Sequence, residues 1–92
     1  MTNIYLSPEA ESQLKDLLFY LETEWGLGVR DNFLEKLDRA LHTIQIFPTG
    51  YPESEKFFGL YKCVVTSQTS IFYRIKGDEI EIVALFDNRR EI

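Results

Sequence analysis

The chain of 92 residues has little cysteine, little histidine and no long apolar run. Its only cysteine, Cys63, has no partner for an internal disulfide, which favours a reducing compartment. No apolar segment approaches the roughly 20 residues that cross a bilayer. The N-terminus, MTNIYLSPEAE, also lacks the basic and apolar regions of a secretion signal. These absences predict a soluble cytoplasmic protein.

Sequence motifs for cofactors and metals are also missing. The chain has no glycine-rich phosphate loop, no paired His/Cys spacing and no Ser-His-Asp set. The only histidine, His42, falls in a predicted helix and is interpreted as a half-exposed surface residue. We therefore expect neither a cofactor nor a bound metal.

Positive charge is in deficit and unevenly spread. The net charge is −5, and residues 7–46 hold eight acids against four bases. Residues 51–92 are nearly balanced, with seven acids and six bases. An acidic chain gains no long-range steering toward nucleic acid, which excludes broad coating of RNA or DNA. A local cationic patch remains, formed by Lys62, Arg74, Arg89 and Arg90.

The apolar pattern predicts one small domain over residues 1–92, because 45% hydrophobic side chains are enough for a packed core. Residues 2–6 alternate as a short strand, and Ser7-Pro8-Glu9 is a capped helix start. Apolar side chains then recur at helical spacing: Ala10, Leu14, Leu17, Leu18, Leu21 and Trp25. Core packing is the favoured interpretation of Trp25.

The rest of the chain predicts a second helix and three strands. Gly26-Leu27-Gly28 interrupts the first helix, and the apolar pattern resumes from Val29 to Ile44. So short an interruption predicts an antiparallel helical hairpin. A loop at 48–58 follows, and then come strands at 60–67, 69–76 and 79–87.

Strict alternation assigns the faces of the last two strands. In the middle strand, Ile71, Tyr73 and Ile75 point away from Phe72, Arg74 and Lys76. In the last strand, Ile80, Ile82, Ala84 and Phe86 point away from Glu79, Glu81, Val83 and Leu85. The order β-α-α-β-β-β predicts an α+β fold, with the helical hairpin packed on one face of a mostly antiparallel sheet.

These segments taken together resemble the RelE/ParE toxin family over nearly the whole chain. The most specific pieces are the P-x-G loop, Gly-Leu-Tyr-Lys at 59–62, IFYRI at 71–75 and I-x-I-V-x-L-F-x-x-R-R at 80–90. The resemblance implies the toxin half of a type II toxin–antitoxin system, with roles in growth arrest and plasmid stabilization. It also implies a cognate antitoxin that wraps the toxin with a helix and a strand.

The family has two functional branches on one scaffold, so the fold does not fix the mechanism. RelE-like members are ribosome-dependent endoribonucleases that cut mRNA. ParE-like members inhibit DNA gyrase by binding. A third interpretation is a degenerate member that retains only antitoxin binding and is not toxic.

On the RelE-like interpretation, the resemblance makes Arg74, Lys62 and Arg89 the catalytic cations of a metal-independent RNA cleavage. The histidine or tyrosine that nuclease members commonly carry after the last strand is absent from Asp87–Ile92. Another group would then have to transfer the proton. The candidates, none of which the sequence spacing favours over the others, are Glu53, Glu55, Lys56 and Tyr61. The competing interpretation of Arg74 is an ion pair with Glu79, Glu81 or Asp87, and that of Arg89 and Arg90 is a solvated pair.

The ParE-like interpretation is favoured, because an acidic helical hairpin suits a protein target better than RNA phosphate. It makes the chain a binding protein rather than an enzyme, with DNA gyrase as the implied target and the ribosome with its mRNA as the lesser one. The expected binding residues are Arg74, Arg89, Arg90, Phe86 and Trp25, with Phe19 and Tyr20 near the hairpin tip. The sheet face opposite the helices should expose an apolar patch that the antitoxin covers, unless the antitoxin extends an edge strand.

Overall fold

The computed structural model describes residues 2–88 of the chain. The elements are β1 (Asn3–Leu6), α1 (Pro8–Trp25), α2 (Leu27–Ile46), β2 (Tyr61–Val64), β3 (Thr69–Lys76) and β4 (Glu79–Asp87). The helices pack on one face of a sheet of order β1-β4-β3-β2, with β1 parallel to β4 and the other pairs antiparallel. The predicted α+β fold is confirmed. Neither helix has the length and apolarity needed to cross a membrane.

Ser7 starts α1 as the sequence predicts. Its hydroxyl accepts a 3.0 Å hydrogen bond from the Ala10 N–H, which satisfies one of the free amides of the first turn. The same hydroxyl donates to the Val83 carbonyl at 2.9 Å, and the Ser7 N–H donates to the Ile82 carbonyl at 2.9 Å. Ser7 therefore joins the start of α1 to the point where the pairing of β1 with β4 ends.

Gly26 alone connects the two helices, with a φ of 98°. A residue with a Cβ adopts this conformation only with strain, so glycine is required at the turn. Gly28, which the sequence placed in the interruption, lies inside α2. Arg30 links the helices, because its guanidinium lies 2.7 Å from the Glu22 carboxylate of α1.

The core lies between the helical hairpin and the sheet. Its buried members are Ala10, Leu17, Leu21, Phe33, Leu37, Ile44, Cys63, Ile71, Tyr73, Ile80, Ile82 and Leu85. Trp25 is outside this core and 58% exposed, so the prediction that it packs there is wrong. It lies one helical turn past Leu21, where the chain turns into α2 at Gly26.

Tyr73 joins the loop after α2 to the centre of the sheet. Its buried hydroxyl donates to the Pro48 carbonyl at 2.6 Å, and its ring stacks on Tyr61 with centroids 5.3 Å apart. Burial raises the pKa of Tyr73 and that of the Cys63 thiol. The pKa of Tyr51 is raised by burial and then by its hydrogen bond with Cys63.

Strand β4 departs from strict alternation at Val83. The pairing with β3 shifts here and leaves Val83 as an extra residue, which is a β-bulge. Beyond the bulge, Leu85 lies in the core, while Ala84 and Phe86 lie on the opposite face with Phe72. The predicted faces of residues 84–86 are therefore wrong, because one extra residue reverses the alternation.

The two turns of the β2–β3–β4 meander differ in how well the sequence predicts them. β2 ends at Val64, short of the predicted residue 67, because the N–H groups of Val65 and Thr66 already donate back to the Thr69 carbonyl at 2.9 and 3.2 Å. The turn at Gly77 is as predicted, with a φ of 60° that suits glycine in a tight hairpin. The bounds of β3 and β4 match the prediction.

Candidate binding surface on the open face of the sheet

We call the side of the sheet that points away from the helices the open face. Paired residues on neighbouring strands share a face, so the strand register fixes its members. They are Asn3, Tyr5, Lys62, Val64, Ser70, Phe72, Arg74, Lys76, Glu79, Glu81, Ala84 and Phe86. Three cations, two acids and aromatic rings therefore share one surface.

Three phenylalanine rings form a cluster on the open face. The ring of Phe57, from the loop before β2, lies edge-on to Phe72 at 4.9 Å and parallel to Phe86 at 5.7 Å between centroids. The Lys56 ammonium lies 5.5 Å from the ring centroids of Phe57 and Phe86, within the range of a cation–π contact. The loop is therefore anchored on the open face by aromatic packing.

This packing leaves a smaller exposed apolar area on the open face than the sequence predicts. Phe57 covers Phe72, which is only 5% exposed, whereas Phe86 remains 41% exposed. Val64 is also exposed, as is Phe58 in the loop. Phe86, one of the predicted binding residues, is thus the accessible edge of the aromatic cluster.

Arg74 pairs with Glu81 across β3 and β4. The Arg74 Nε lies 2.7 Å from the Glu81 Oε1, and the two side chains are 50% and 14% exposed. Glu81 is one of the three partners that the sequence suggested. The pair compensates the charge of Arg74, although a half-exposed pair contributes no more than about 1 kcal/mol of stability.

Lys62 lies directly opposite Phe72 on the open face and is a diagonal neighbour of Arg74. It lines a cleft of about 380 Å³ whose other lining residues are Pro52, Glu53, Ser54, Glu55, Lys56 and Phe72. The loop reaches this position because Glu53 bridges to Tyr61 and the Lys62 N–H donates to the Pro52 carbonyl at 2.9 Å. Sequence spacing could not show this convergence, since it depends on the loop folding back along β2.

The remaining candidate residues do not join this surface in the described part of the chain. Arg89 and Arg90 lie outside the described residues. Trp25 and Phe19 are 58% and 73% exposed on the helical hairpin, on the other side of the sheet. Tyr20 is half-buried against the core.

His42 is an exposed residue of α2, with its Nδ1 3.0 Å from the Asp38 carbonyl oxygen. It lies in the helical layer and not on the open face. Within residues 2–88, no three His, Cys, Asp or Glu side chains stand close enough to hold a metal ion.

A helical hairpin on a mixed four-stranded sheet of order β1-β4-β3-β2 is the RelE/ParE-like fold. A sequence model of the family described as "ParE toxin of type II toxin-antitoxin system, parDE" matches residues 4–92. The chain belongs to this ParE toxin family. No curated protein matches the chain significantly in sequence.

Solved structures share the fold at low sequence identity. A chain of the chromosomal ParDE TA system from P. aeruginosa has a TM-score of 0.79 and 16% identity, over 95% of this chain and 96% of that one. The YoeB dimer from Staphylococcus aureus has a TM-score of 0.66 and 18% identity, over 92% and 94%. The heterotetrameric YoeB-YefM toxin-antitoxin complex from the same organism gives 0.64 and 16%, over 94% and 95%.

Proposed function

We propose that this toxin arrests growth by binding a protein target and that a cognate antitoxin neutralises it. The observation that carries the proposal is the 2.7 Å ion pair between Arg74 and Glu81 on the open face. A phosphate-binding arginine needs its positive charge free for the ligand, and this one is matched by a carboxylate.

The rest of the open face also suits a protein partner. Phe86 is partly exposed at the edge of the aromatic cluster, and aromatic side chains are frequent anchors of protein interfaces. The net charge of −5 opposes approach to the dense phosphate of a ribosome. Arg74 and Phe86 are the binding residues that we propose on this face, with Arg89 and Arg90 following β4 in sequence.

DNA gyrase is the target that we propose, on the ParE-branch resemblance. Purified toxin added to gyrase should inhibit ATP-dependent supercoiling of relaxed plasmid. Phe86→Ala should weaken the inhibition more than Phe19→Ala, which removes an equally large exposed ring from the helical layer. Supercoiling that is unaffected by a large excess of folded toxin would exclude gyrase.

The growth-arrest proposal is tested separately by induction in a bacterial host. Strong expression without antitoxin should stop growth, and co-expression of the antitoxin from the same operon should restore it. Plasmid stabilization would follow from the same pair of activities in the cytoplasm. Growth that continues at a verified high level of folded protein would contradict a toxic activity.

A cognate antitoxin is the partner that we propose for the open face. Similar folds occur in the ParDE system of P. aeruginosa and in the S. aureus YoeB-YefM toxin-antitoxin complex. Phe86 and Val64 leave apolar area accessible on this face. Co-purification with the neighbouring operon product, weakened by Phe86→Ala, is the corresponding measurement.

A ribosome-dependent mRNA endonuclease is the second candidate function, and the cleft beside Lys62 favours it. Glu53 and Glu55 line this cleft with Lys62, so carboxylates stand near a cation, and Arg74 lies diagonally across on the same face. Arg74, Lys62 and Arg89 would stabilise charge, and a loop carboxylate would transfer the proton. Codon-phased mRNA cuts that disappear in folded Arg74→Ala and Glu53→Gln variants would establish it over gyrase binding.

A degenerate, non-toxic member of the family is the third candidate. It would form a stable complex with the antitoxin, yet it would leave growth, supercoiling and mRNA intact. The absence of a histidine or tyrosine from residues 87–92 fits this outcome as well as the first.

A further inference from the structure

The loop before β2 folds back on the sheet as a compact unit, and we call its residues 54–60 the strap. The ends of the strap are joined by a 2.7 Å hydrogen bond from the Ser54 N–H to the Leu60 carbonyl. Just outside it, the Lys62 N–H donates to the Pro52 carbonyl at 2.9 Å. Compact surface loops whose ends lie this close are Ω-loops. The main chain of the strap is therefore attached to the rest of the protein at one end only.

Hydrogen bonds within the strap hold its shape. The Ser54 hydroxyl oxygen accepts from the N–H groups of Lys56 and Phe57, at 3.1 and 2.9 Å. The Leu60 N–H donates to the Phe57 carbonyl at 3.2 Å. Gly59 lies between them with a φ of 83°, which is the value at the third residue of a type II turn. None of these bonds involves the sheet, so they persist if the strap moves.

Side chains alone attach the strap to the open face. Within residues 2–88, every hydrogen bond that the structure shows for the strap joins two of its own residues. The Phe57 ring packs on Phe72 and Phe86, and the Lys56 ammonium lies 5.5 Å from the Phe86 ring centroid. Leu60 lines the same cleft as Phe86. Lifting the strap would therefore expose apolar area without breaking a hydrogen bond.

Phe57 stands between two clefts of the open face. One cleft, of about 290 Å³, has Phe57 and Phe86 in its lining. The other is the cleft of about 380 Å³ at Lys62, which has Phe72 in its lining. Because the Phe57 ring contacts both Phe72 and Phe86, its removal would join the two clefts. The joined space would be as large as ordinary ligand pockets, roughly 300–1,000 Å³.

The geometry of the rings indicates what kind of group fits this site. Phe72 and Phe86 meet edge to face with centroids 5.6 Å apart, and Phe57 lies parallel to Phe86. Aromatic rings prefer these edge-on and offset arrangements. Another aromatic ring in the place of Phe57 would make the same contacts, and aromatic side chains are frequent anchors of protein interfaces.

We propose that Phe57 is a built-in occupant of the open face, and that the strap lifts as a folded unit when an aromatic side chain of the protein target takes its place on Phe72 and Phe86. The inference rests on the proposed function, because it describes how the target reaches the open face. A closed strap reduces the apparent affinity for the target in proportion to the fraction of molecules that are open. Removal of Phe57 therefore strengthens binding, whereas loss of an ordinary contact residue weakens it.

A fluorescent aromatic dye tests the strap without the target. Anilinonaphthalene sulfonate should bind Phe57→Ala on the order of 10-fold more tightly than the parent chain, because no ring of the strap competes for the site. Phe58→Ala is the matched control: it removes the neighbouring ring, which is fully exposed, and should keep the affinity within about 2-fold. Phe57→Ala/Phe86→Ala should lose the gain. Equal affinities for Phe57→Ala and the parent, or a gain that survives the loss of Phe86, would overturn the inference.

Stopped-flow mixing separates opening of the strap from a change in the exposed surface. In the parent chain, the observed rate of dye binding should level off at high dye concentration, because the strap must open first. In Phe57→Ala, the observed rate should rise in proportion to the dye concentration. A proportional rise in the parent over the same range would contradict opening before binding.

Ser54→Ala tests whether the strap lifts as a folded unit or unravels. The Ser54 hydroxyl makes the same bonds in a closed and in a lifted strap, so this variant should bind the dye within about 2-fold of the parent. If the strap had to unravel, loss of these bonds would favour the open state. Clearly tighter dye binding by Ser54→Ala would therefore overturn the movement as a folded unit.

The target separates failure of this inference from failure of the proposed function. If Phe57→Ala binds the dye no better than the parent while induction still arrests growth, the strap inference is wrong and the toxin proposal stands. If the dye binds as described but induction leaves growth intact, the toxin proposal fails independently. Where both hold, Phe57→Ala should inhibit gyrase at a lower concentration than the parent. A higher concentration would make Phe57 an ordinary contact residue and overturn the inference.

Discussion

Arg74 on β3 and Glu81 on β4 face one another in register, and their side chains form an ion pair of 2.7 Å. Glu81 is the less exposed partner, at 14% against 50% for Arg74. The carboxylate therefore sets how much of the arginine charge is available to a ligand on the open face.

Glu81→Gln should release Arg74 without destabilising the fold. We expect the free energy of unfolding in urea to change by less than about 1 kcal/mol, as for other exposed pairs. Affinity for a single-stranded RNA oligonucleotide should rise more than in Glu79→Gln, which changes the net charge equally but leaves the pair intact. Equal rises in the two variants would mean that the pair does not limit Arg74.

Tyr73→Phe should destabilise the protein by about 1–2 kcal/mol, because the Pro48 carbonyl loses its buried donor. The loop after α2 should then become a better substrate in limited proteolysis. Tyr61→Phe is the control: it keeps a stacked ring beside Tyr73 and removes a hydroxyl that makes no hydrogen bond within residues 2–88. If the Tyr73→Phe and Tyr61→Phe variants unfolded at the same urea concentration, this role of the Tyr73 hydroxyl would be contradicted.

Alkaline pH should weaken the fold through the buried Cys63 and Tyr73. Burial raises the pKa of each above its ordinary value, 9.0 for the thiol and 10.0 for the phenol, because it disfavours the charged form. The unfolded chain then loses these protons first as pH rises, so the folded state holds more protons and the free energy of unfolding falls. Their contribution is complete below pH 9.0 and is lost progressively above it.

Urea midpoints measured from pH 7 to 11 would test this dependence. Cys63→Ala should remove the decline of the urea midpoint that begins near pH 9. Tyr73→Phe should reduce the further decline of the midpoint above pH 10. A parent profile that stays flat through pH 10.5 would show that neither group governs alkaline stability.

Ser7→Ala should cost about 1–2 kcal/mol, because it removes both the helix cap and the bond to the bulge carbonyl at Val83. Ser7→Asp separates the two roles, since a carboxylate accepts from the Ala10 N–H but cannot donate to Val83. Measured by urea denaturation, Ser7→Asp should therefore recover only part of the free energy of unfolding that Ser7→Ala loses. Ser12→Ala, at an exposed position of α1, should cause no loss.

The sequence predicts the elements well where local chemistry sets them. Ser7 and Pro8 start α1, and Gly77 with Asp78 separates β3 from β4, because capping and turn preferences act over a few residues. The family resemblance, which the match over residues 4–92 confirms, depends on the same ordered segments.

Features set by tertiary pairing could not be predicted in the same way. The bulge at Val83 appears only when β4 is paired with β3, and it moves Phe86 to the open face. The aromatic cover from Phe57 and the cleft at Lys62 depend on a loop that folds back along β2. Trp25 follows the helical pattern, but α1 extends past the core before it ends.

The place of β4 between β1 and β3 has a consequence for synthesis of the toxin. The ribosome makes β4 after the other three strands, so β1 has no neighbour in the sheet until the last of them emerges. A chain released before residue 79 would lack the strand that joins the two parts of the sheet. Premature termination should therefore yield an unfolded fragment for the cell's proteases, not a partial toxin beyond the control of its antitoxin.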